Sequence, residues 1–384
     1  MSAITPSSPE ELAQVLAEAA SQSRPVCLLG RNSKRLMGGP ITSSGATIST
    51  IGLRQILQYE PNDLTISVEA GLPFAELQAT LAKHGQMIAL DPPFWSEATV
   101  GGVVATNSNG PMRRAFGTAR DLIIGMTFAT LEGKLIKSGG MVVKNVAGLD
   151  MAKLLIGSFG TLAAITTVNF RVHSMSEETR SFLFSFPDVE RAMEKCDAIL
   201  RSVLQPVAVD LLSPVAAARV GRRGYLVAVR AGGSRAVLDR YGRELDGAEI
   251  LNADTEFWQQ TREFTPEFMR RNPSGVVLRI STRLGDISNV LRMSPGPVVS
   301  RAGSGVTYVY LSSWQPVAAL WKASQENGWS VVVEFASDEI RQAKELWLQP
   351  TSVARENAFD MMKQVKQMFD PANLLNTSRL YGRI

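Results

Sequence analysis

The chain has 384 residues, with 40 lysines and arginines against 36 aspartates and glutamates, so its formal net charge is +4. This length predicts about two to three domains, each large enough to bury its own core. So mild a basic excess excludes the electrostatic signature of a dedicated nucleic-acid-binding protein, and we expect no nucleic-acid partner.

Cysteine and histidine are scarce. The two cysteines, Cys27 and Cys196, supply neither a disulfide framework nor a thiolate metal site. The two histidines, His84 and His173, exclude a histidine-rich metal centre, and we expect no bound metal. Because the start of the chain has no leader pattern and no long apolar run occurs, we expect a cytoplasmic protein with at most peripheral membrane association.

The N-terminal third alternates helices and strands. Ser8, followed by Pro9 and two glutamates, has the pattern of a helix N-cap and predicts a helix to about Ala20. Apolar runs predict strands over residues 25–29, 46–49, 64–68 and 86–90, with a helix over 73–85. The last strand ends in an Asp91-Pro92-Pro93 turn.

Residues 98–170 are rich in glycine between short apolar stretches. Glycine allows positive φ and close approach of the main chain to a ligand, so this clustering favours a sheet and loops that cradle a ligand. A turn-rich β domain is the alternative. After residue 176 a polar linker leads into a second strand and helix alternation. We therefore expect an α+β fold, with domains over 1–176 and 177–350 and a tail over 351–384 that returns to the first.

The familiar phosphate-binding motifs GxGxxG and GxxxxGK are both absent. The loop GRNSKR, which follows the first strand, offers an alternative, because successive backbone N–H groups and basic side chains form an anion nest. Its residues are Gly30, Arg31, Asn32, Ser33, Lys34 and Arg35. A solvated basic turn explains the loop equally well when it is considered alone.

Three later segments place small residues where a flat ligand could approach the main chain. They carry Thr99, Gly101, Gly102, Thr106, Asn107 and Gly110; Arg114, Gly117, Thr118 and Asp121; and Lys144, Gly148, Asp150, Lys153, Gly157, Gly160 and Thr161. Each segment alone is weak evidence, but their order and spacing together are specific.

With these segments the whole chain resembles FAD-linked oxidases of the vanillyl-alcohol oxidase or PCMH type. Within that family it is similar to the FAD-binding subunits of bacterial glycolate oxidases. The strings VKNVAGLDMAKLLIGSFGTLAAITTVNFRV and FDPANLLNTSRLYGRI carry the resemblance. It implies a PCMH-type FAD-binding domain, built from two α+β subdomains, followed by an α+β cap domain of the FAD-linked oxidase C-terminal type.

The resemblance also implies the cofactor contacts. The loop from Gly30 to Arg35 would hold the FAD pyrophosphate, and the later segments would run along the cofactor. The expected residues, besides that loop, are Asp91, Pro92, Thr99, Val100, Gly101, Gly102, Thr106, Asn107, Gly110, Gly117, Thr118, Asp121, Gly148, Gly160, Thr161, Ile165 and Asn376. Because neither the loop nor residues 99–117 contain a histidine, we expect FAD to be bound noncovalently.

The substrate side departs from the family. Relatives that oxidise 2-hydroxy acids alone carry a histidine-rich segment in the second domain, whereas this chain has no histidine after residue 173. Arg279 and Arg283 alternate on a predicted strand and would form a bidentate clamp for a substrate carboxylate. An exposed strand face with solvated arginines is the blander alternative.

The resemblance implies an FAD-dependent oxidoreductase that oxidises glycolate or another small 2-hydroxy acid by hydride transfer to FAD. It also implies a complex with a second flavin subunit and an iron–sulfur subunit, since two cysteines cannot ligate a cluster. Two alternatives stay open: an accessory subunit whose FAD is structural or relays electrons, and a standalone oxidase of another alcohol or 2-hydroxy acid.

Overall fold

The computed structural model describes residues 3–41, 45–141, 150–349 and 353–384. The chain divides into two compact units: Met1–Asn109, Gly117–Met175 and Ser352–Ile384 form the first, and Gly110–Phe116 and Ser176–Thr351 form the second. Gly110, which the sequence assigned to the cofactor segments, thus belongs to the second unit. The reason is local packing, because Arg114 Nη1 donates to the carbonyl oxygen of Gly303 at 3.3 Å.

The first unit is built on an antiparallel five-stranded sheet with strand order β3-β4-β8-β6-β7 and on two small two-stranded sheets. Its strands are β1 (Val26–Leu29), β2 (Ala46–Ser49), β3 (Ile56–Glu60), β4 (Thr65–Glu69), β5 (Gln86–Met87), β6 (Ile123–Ala129), β7 (Leu135–Gly139), β8 (Ala164–Arg171) and β9 (His173–Ser174).

The helices follow in chain order through both units. They are α1 (Pro9–Ser21), α2 (Phe74–Ala82), α3 (Val100–Ala105), α4 (Arg113–Phe116), α5 (Ala119–Leu122), α6 (Ala152–Leu155), α7 (Val189–Arg201), α8 (Pro214–Arg219), α9 (Arg235–Glu244), α10 (Thr255–Arg262), α11 (Phe264–Arg271), α12 (Ile287–Met293), α13 (Val317–Asn327), α14 (Asp338–Ala343) and α15 (Val353–Phe369), with 3-10 turns at Thr50–Gly52, Pro61–Asp63 and Leu284–Asp286.

Helix α1 shows how local sequence sets an element. The Ser8 hydroxyl accepts a hydrogen bond from the N–H of Glu11 at 3.1 Å, and Pro9 occupies the first helical turn. Leu12 and Leu16, one turn apart, are fully buried. This capping pattern stabilises a helix by about 1 kcal/mol, and the apolar stripe then directs one face into the core.

The parallel pair β1 and β2 holds the C-terminal tail. The N–H of Val26 donates to the carbonyl oxygen of Leu374 at 2.8 Å, and the N–H of Asn376 donates to that of Val26 at 2.9 Å. Leu374 and Leu375 are buried in a core cluster with α1, β1 and β2. The last residues of the chain therefore pack beside the first strand.

The second unit contains an eight-stranded antiparallel sheet with strand order β13-β10-β12-β11-β15-β16-β14-β17. Its strands are β10 (Glu178–Phe186), β11 (Ala208–Leu212), β12 (Tyr225–Gly233), β13 (Glu249–Leu251), β14 (Val276–Ser281), β15 (Val298–Arg301), β16 (Val306–Leu311) and β17 (Ser330–Ala336). With antiparallel sheets and helices in both units, the predicted α+β class is confirmed. Within the described ranges, no helix combines the length and apolarity needed to cross a membrane.

Candidate functional site

A cleft opens in the first unit where β1 runs into its following loop, and its space of about 780 Å³ includes open solvent. The wall comes from four places: the end of β1 with its loop, the start of α3, the turn before β8, and the C-terminal tail. The lining residues are Leu28, Leu29, Gly30, Arg31, Asn32, Ser33, Lys34, Ile41, Thr50, Thr99, Gly101, Gly102, Ala105, Thr106, Phe159, Gly160, Ala163, Ile165, Asn376 and Arg379.

The loop after β1 lies directly against the cap of α3. A Cβ atom added to Gly30 would lie 2.4 Å from Thr99 Oγ1, far inside van der Waals contact. Thr99 cannot retreat without loss, because its Oγ1 accepts a hydrogen bond from the N–H of Gly102 at 3.2 Å. Ser49 Oγ holds the loop from the other side by donating to the carbonyl oxygen of Gly30 at 3.1 Å. Only glycine fits at position 30.

The first turn of α3 is packed by its main chain. The N–H of Gly101 donates to the carbonyl oxygen of Ala70 at 2.7 Å, and a Cβ on Gly101 would lie 2.9 Å from the Ala70 methyl carbon. Thr106 ends the helix and donates from Oγ1 to the carbonyl oxygen of Gly102 at 2.7 Å. The small residues therefore serve close packing between α3 and the strand end, and leave main chain exposed to the cleft.

Asn376 joins three segments of the cleft wall. Its side-chain oxygen accepts from the N–H of Leu28 at 2.7 Å, and its side-chain nitrogen donates to the carbonyl oxygens of Leu28 at 3.0 Å and Phe159 at 2.8 Å. The side chain is buried, so these bonds satisfy polar groups that would otherwise be costly. The tail thus fixes both β1 and the turn before β8.

Arg379 is the charged residue of the cleft wall that the sequence interpretation missed. Its guanidinium donates to the carbonyl oxygens of Lys34 at 2.7 Å, Arg35 at 3.0 Å and Gly39 at 2.9 Å. These contacts clamp the loop after β1 to a residue at least 340 positions away in the chain. The only available signal was its place three residues after Asn376 in the tail.

The cleft is cationic on its loop side. Lys34 is buried, and its ammonium lies 5.8 Å from the centre of the Phe94 ring. Arg31 Nη1 donates to the carbonyl oxygen of Ser96 at 3.3 Å, and Arg379 stands on the tail side. Three cations beside apolar walls such as Ala163 suit an elongated ligand with a phosphate centre and flat ends.

The structure brings together about half of the residues expected to contact the cofactor. Those in the cleft wall are Gly30, Arg31, Asn32, Ser33, Lys34, Thr99, Gly101, Gly102, Thr106, Gly160, Ile165 and Asn376. Those outside the wall are Arg35, Asp91, Pro92, Val100, Asn107, Gly110, Gly117, Thr118, Asp121 and Thr161. Gly148 lies outside the described residues.

Residues 117–121 instead build a local cap. Asp121 Oδ2 accepts from the N–H of Thr118 at 2.8 Å and from its hydroxyl at 3.0 Å, which forms a capping box at the start of α5. The backbone hydrogen bond from Thr118 is the main cause that holds the pKa of Asp121 below its ordinary value. Other outside residues are core: Val100 is fully buried, and Thr161 Oγ1 donates to the carbonyl oxygen of Ser158 at 2.7 Å.

The proposed arginine clamp does not form as the sequence suggests. Arg279 lies on β14, but β14 ends at Ser281 and Arg283 is exposed in the following turn. The two side chains therefore do not alternate on one strand. Arg279 Nε instead lies 3.6 Å from Glu334 Oε2 on β17.

The amino-acid sequence is similar to those of known FAD-linked proteins. The family model described as "FAD binding domain" matches residues 2–139, and the model described as "FAD linked oxidases, C-terminal domain" matches residues 342–380. Glycolate oxidase subunit GlcE of Escherichia coli (strain K12) is 28% identical over 378 residues, which cover 98% of each chain. D-lactate dehydrogenase of Archaeoglobus fulgidus is 24% identical over 99% of this chain and 91% of its own.

Structural comparison agrees on the fold. The 4-ethylphenol oxidase of Gulosibacter chungangensis superposes with a TM-score of 0.75 over 99% of this chain and 89% of its own, at 14% identity. The predicted PCMH-type FAD-binding domain with an oxidase C-terminal domain is thereby confirmed. Both family models and these full-length relatives identify an FAD-dependent oxidoreductase, and its cofactor is FAD.

Proposed function

We propose that this chain is the FAD-binding subunit of a glycolate oxidase type of complex and oxidises glycolate or another small 2-hydroxy acid. Similarity over nearly the full length to a glycolate oxidase subunit and to a D-lactate dehydrogenase supports the substrate class, because both named substrates are 2-hydroxy acids. The observation that carries the proposal is the cleft that unites the loop after β1, α3 and the tail.

The cleft residues fit FAD. The Gly30–Lys34 loop and Arg379 would hold the diphosphate, since backbone N–H groups and guanidinium groups form strong hydrogen bonds with phosphate oxygens. The close packing at Gly30 and Gly101, where a Cβ has no room, keeps main chain at the ligand surface. Among the lining residues of the described chain there is no histidine, cysteine or tyrosine, which supports noncovalent binding.

Oxidation of a 2-hydroxy acid removes the α-hydrogen as hydride and the hydroxyl hydrogen as a proton, leaving a 2-oxo acid. FAD supplies the hydride acceptor and can pass the two electrons on singly. The protein must supply a cation for the substrate carboxylate and a base for the hydroxyl proton. The chain has no histidine after residue 173, so the second unit could supply these groups only from side chains such as arginine, tyrosine, lysine or a carboxylate.

Onward electron transfer in such a complex needs an iron–sulfur partner. The chain has two cysteines, Cys27 and Cys196. An iron–sulfur cluster is held by four cysteine thiolates, which two cysteines cannot supply. We therefore assign the cluster to a separate iron–sulfur subunit, with a second flavin subunit beside it, and place any contact with the membrane in those partners.

An accessory role is the second candidate, in which FAD here relays electrons or is structural and a partner oxidises the substrate. The absence of histidine from the second unit favours it, because histidine is the usual base for this reaction.

Anaerobic titration of the FAD-loaded chain separates the two. Glycolate and D-lactate are added in turn to the isolated chain, and flavin absorbance is followed. Bleaching by either acid supports the substrate-oxidising role. A flavin that dithionite bleaches but neither acid does, until the partner subunits are added, supports the accessory role.

A further inference from the structure

In the part of the chain that the structure describes, the two large sheets end in four edge strands, and three of these are short, covered or protected by charge. Strand β13 has three residues. Strand β17 is covered by the segment after α14, because the N–H of Val333 donates to the carbonyl oxygen of Leu346 at 2.9 Å. Strand β7 is flanked by the exposed Lys134 and carries the exposed Lys137. Lysine on an edge strand discourages pairing with another chain.

Strand β3 is the fourth edge, and it has neither a cover nor a lysine. Within the described ranges it pairs with β4 alone. Its side chains of Ile56 and Leu57 are 37% and 50% exposed, and Gln58 beside them is exposed as well. An exposed edge strand with apolar side chains presents main-chain donors and acceptors to which a further strand can add.

A bulge limits how far such pairing can extend. The register of β3 against β4 shifts between Ile56 and Gln58, so Leu57 is the extra residue. A bulge bends the strand and increases its twist, which prevents a long, flat contact. A contact through one short, twisted strand lies at or below the small end of specific interfaces. We therefore expect any association through β3 to be weak and to involve a few residues only.

The two ends of β3 carry opposite charges. Arg54 stands just before the strand and Glu60 is its last residue, and the five residues between them are uncharged. Both charged side chains are exposed. Arg54 Nη2 lies 3.0 Å from Glu76 Oε2 in an exposed ion pair, and Gln58 Nε2 donates to Glu60 Oε1 at 3.2 Å. Because exposed ion pairs contribute little to stability, Arg54 can exchange this partner for another carboxylate.

A second copy of the chain fits this charge pattern. Two copies related by a twofold axis normal to the sheet pair antiparallel, and the axis passes between one residue and its equivalent. When that residue is Leu57, Arg54 of each copy lies opposite Glu60 of the other. An axis at Ile56 or Gln58 would instead set each charge opposite an uncharged residue. Opposite charges directly across a strand pair stabilise it, and the symmetry forms two such pairs.

We propose that β3 is the interface of a twofold-symmetric homodimer, in which the strands of two copies pair antiparallel about Leu57. The proposal rests on the sheet edge and its charges and is independent of the proposed function. The pairing joins the two five-stranded sheets into one of ten strands. It uses the open edge of both copies, and the far edges end in β7 with its lysines, so assembly stops at the dimer.

Sedimentation equilibrium of the full FAD-loaded chain, from about 1 to about 200 µM, tests the dimer. The expected result is a monomer–dimer equilibrium with a dissociation constant in the micromolar range and no larger species. Leu57→Lys sets two ammonium groups against each other at the axis and should weaken dimerisation at least about tenfold. Leu135→Lys is the matched control, since Leu135 is an exposed leucine on the β7 edge, and should stay within about twofold of the parent. Flavin absorbance in the same cell reports that each variant keeps its fold.

Exchange of the two charges tests the register. Arg54→Glu and Glu60→Arg each set like charges opposite one another and should each weaken dimerisation roughly three- to tenfold. The double variant Arg54→Glu/Glu60→Arg should return to within about threefold of the parent. Within one copy the printed contacts of these side chains are to Glu76 and Gln58, so the recovery has to come from the contact between copies.

Each result supports or overturns the proposal. A dimer that Leu57→Lys weakens, that Leu135→Lys retains and that the double charge exchange restores supports it. A chain that stays monomeric throughout the concentration range overturns it, including one that assembles only when other subunits are added. A dimer that Leu57→Lys leaves intact, or single charge variants that the double variant fails to rescue, also overturns pairing about Leu57.

Discussion

The side-chain nitrogen of Asn376 lies 2.8 Å from the carbonyl oxygen of Phe159 and would lie equally close, at 2.8 Å, to a Cβ atom on Gly160. Gly160 has φ +70°, a conformation that non-glycine residues rarely adopt. Because Gly160 has no side chain, the Asn376 amide has the space it needs to donate to the main-chain carbonyl oxygens of Leu28 and Phe159. This contact ties the C-terminal tail to the cofactor cleft.

Gly160→Ala should weaken FAD binding by at least about tenfold and lower the free energy of unfolding by more than about 1 kcal/mol. The strain at positive φ and the displaced Asn376 amide both contribute. FAD affinity is measured by fluorescence quenching and stability by urea unfolding. Gly85→Ala is the control, because Gly85 has φ +63° in the same unit with nothing within 4 Å of the added Cβ. Gly85→Ala should lower the free energy of unfolding through the strain at positive φ, but it should leave FAD binding unchanged.

Arg379→Met should release the loop after β1 and remove a cation from the cleft. We expect FAD binding to weaken roughly tenfold or more, because each bond from a charged donor contributes about 1.5–3 kcal/mol. Riboflavin, which lacks the diphosphate, should lose far less affinity. Arg383→Met, four residues on and exposed, removes the same charge from the tail and should leave both affinities within about twofold. Equal losses for FAD and riboflavin would argue against a phosphate role.

Lys366 is a buried structural cation. Its ammonium donates to Asp370 Oδ2 at 2.6 Å, to the carbonyl oxygen of Thr161 at 2.8 Å and to that of Leu375 at 3.0 Å. Lys366→Met should cost about 3–5 kcal/mol of unfolding free energy, since it leaves Asp370 buried and unpaired. Lys363 forms an ion pair with Asp360, and both side chains are exposed. Lys363→Met should therefore change the free energy of unfolding by less than about 0.5 kcal/mol. Urea unfolding of the two variants checks this contrast.

Asp121 should make stability depend on pH at the acid end. Its pKa in the folded chain is lower than in the unfolded chain, so the capping box stabilises the fold fully above the unfolded pKa, and this stabilisation is lost as pH falls through the folded pKa. Asp121→Asn should cost about 1 kcal/mol at neutral pH, and the difference from the parent should shrink steadily below about pH 4. A difference that is constant from pH 7 to pH 3 would contradict the ionised capping box.

Local signals predicted the elements that depend on neighbouring residues. The strand predicted over 46–49 matches β2. Helix α1 begins at the predicted Pro9, because consecutive residues determine its cap and its first turn. The predicted strand over 86–90 shrinks to Gln86–Met87, since only those two residues pair with β9. Pairing partners are set by tertiary structure, which a local pattern does not contain.

Long-range contacts explain what the sequence did not predict. Arg379 joins the cleft through loop residues more than 340 positions away, and segment 110–116 leaves the first unit because Arg114 packs at Gly303. In the second unit the register of β14 and β16 places Arg279 opposite Tyr308, nearly 30 positions along the chain, and β17 has a bulge at Glu334 that no sequence motif indicates.

The cleft is tested most directly by the absorbance spectrum of the purified chain, reconstituted with excess FAD and desalted, before and after acid precipitation. We expect a bound flavin spectrum that passes entirely into the supernatant, together with loss of that bound flavin in Gly160→Ala and Arg379→Met. A parent protein that stays colourless after reconstitution, or variants that retain FAD as the parent does, would contradict the assignment of the cleft as the FAD site.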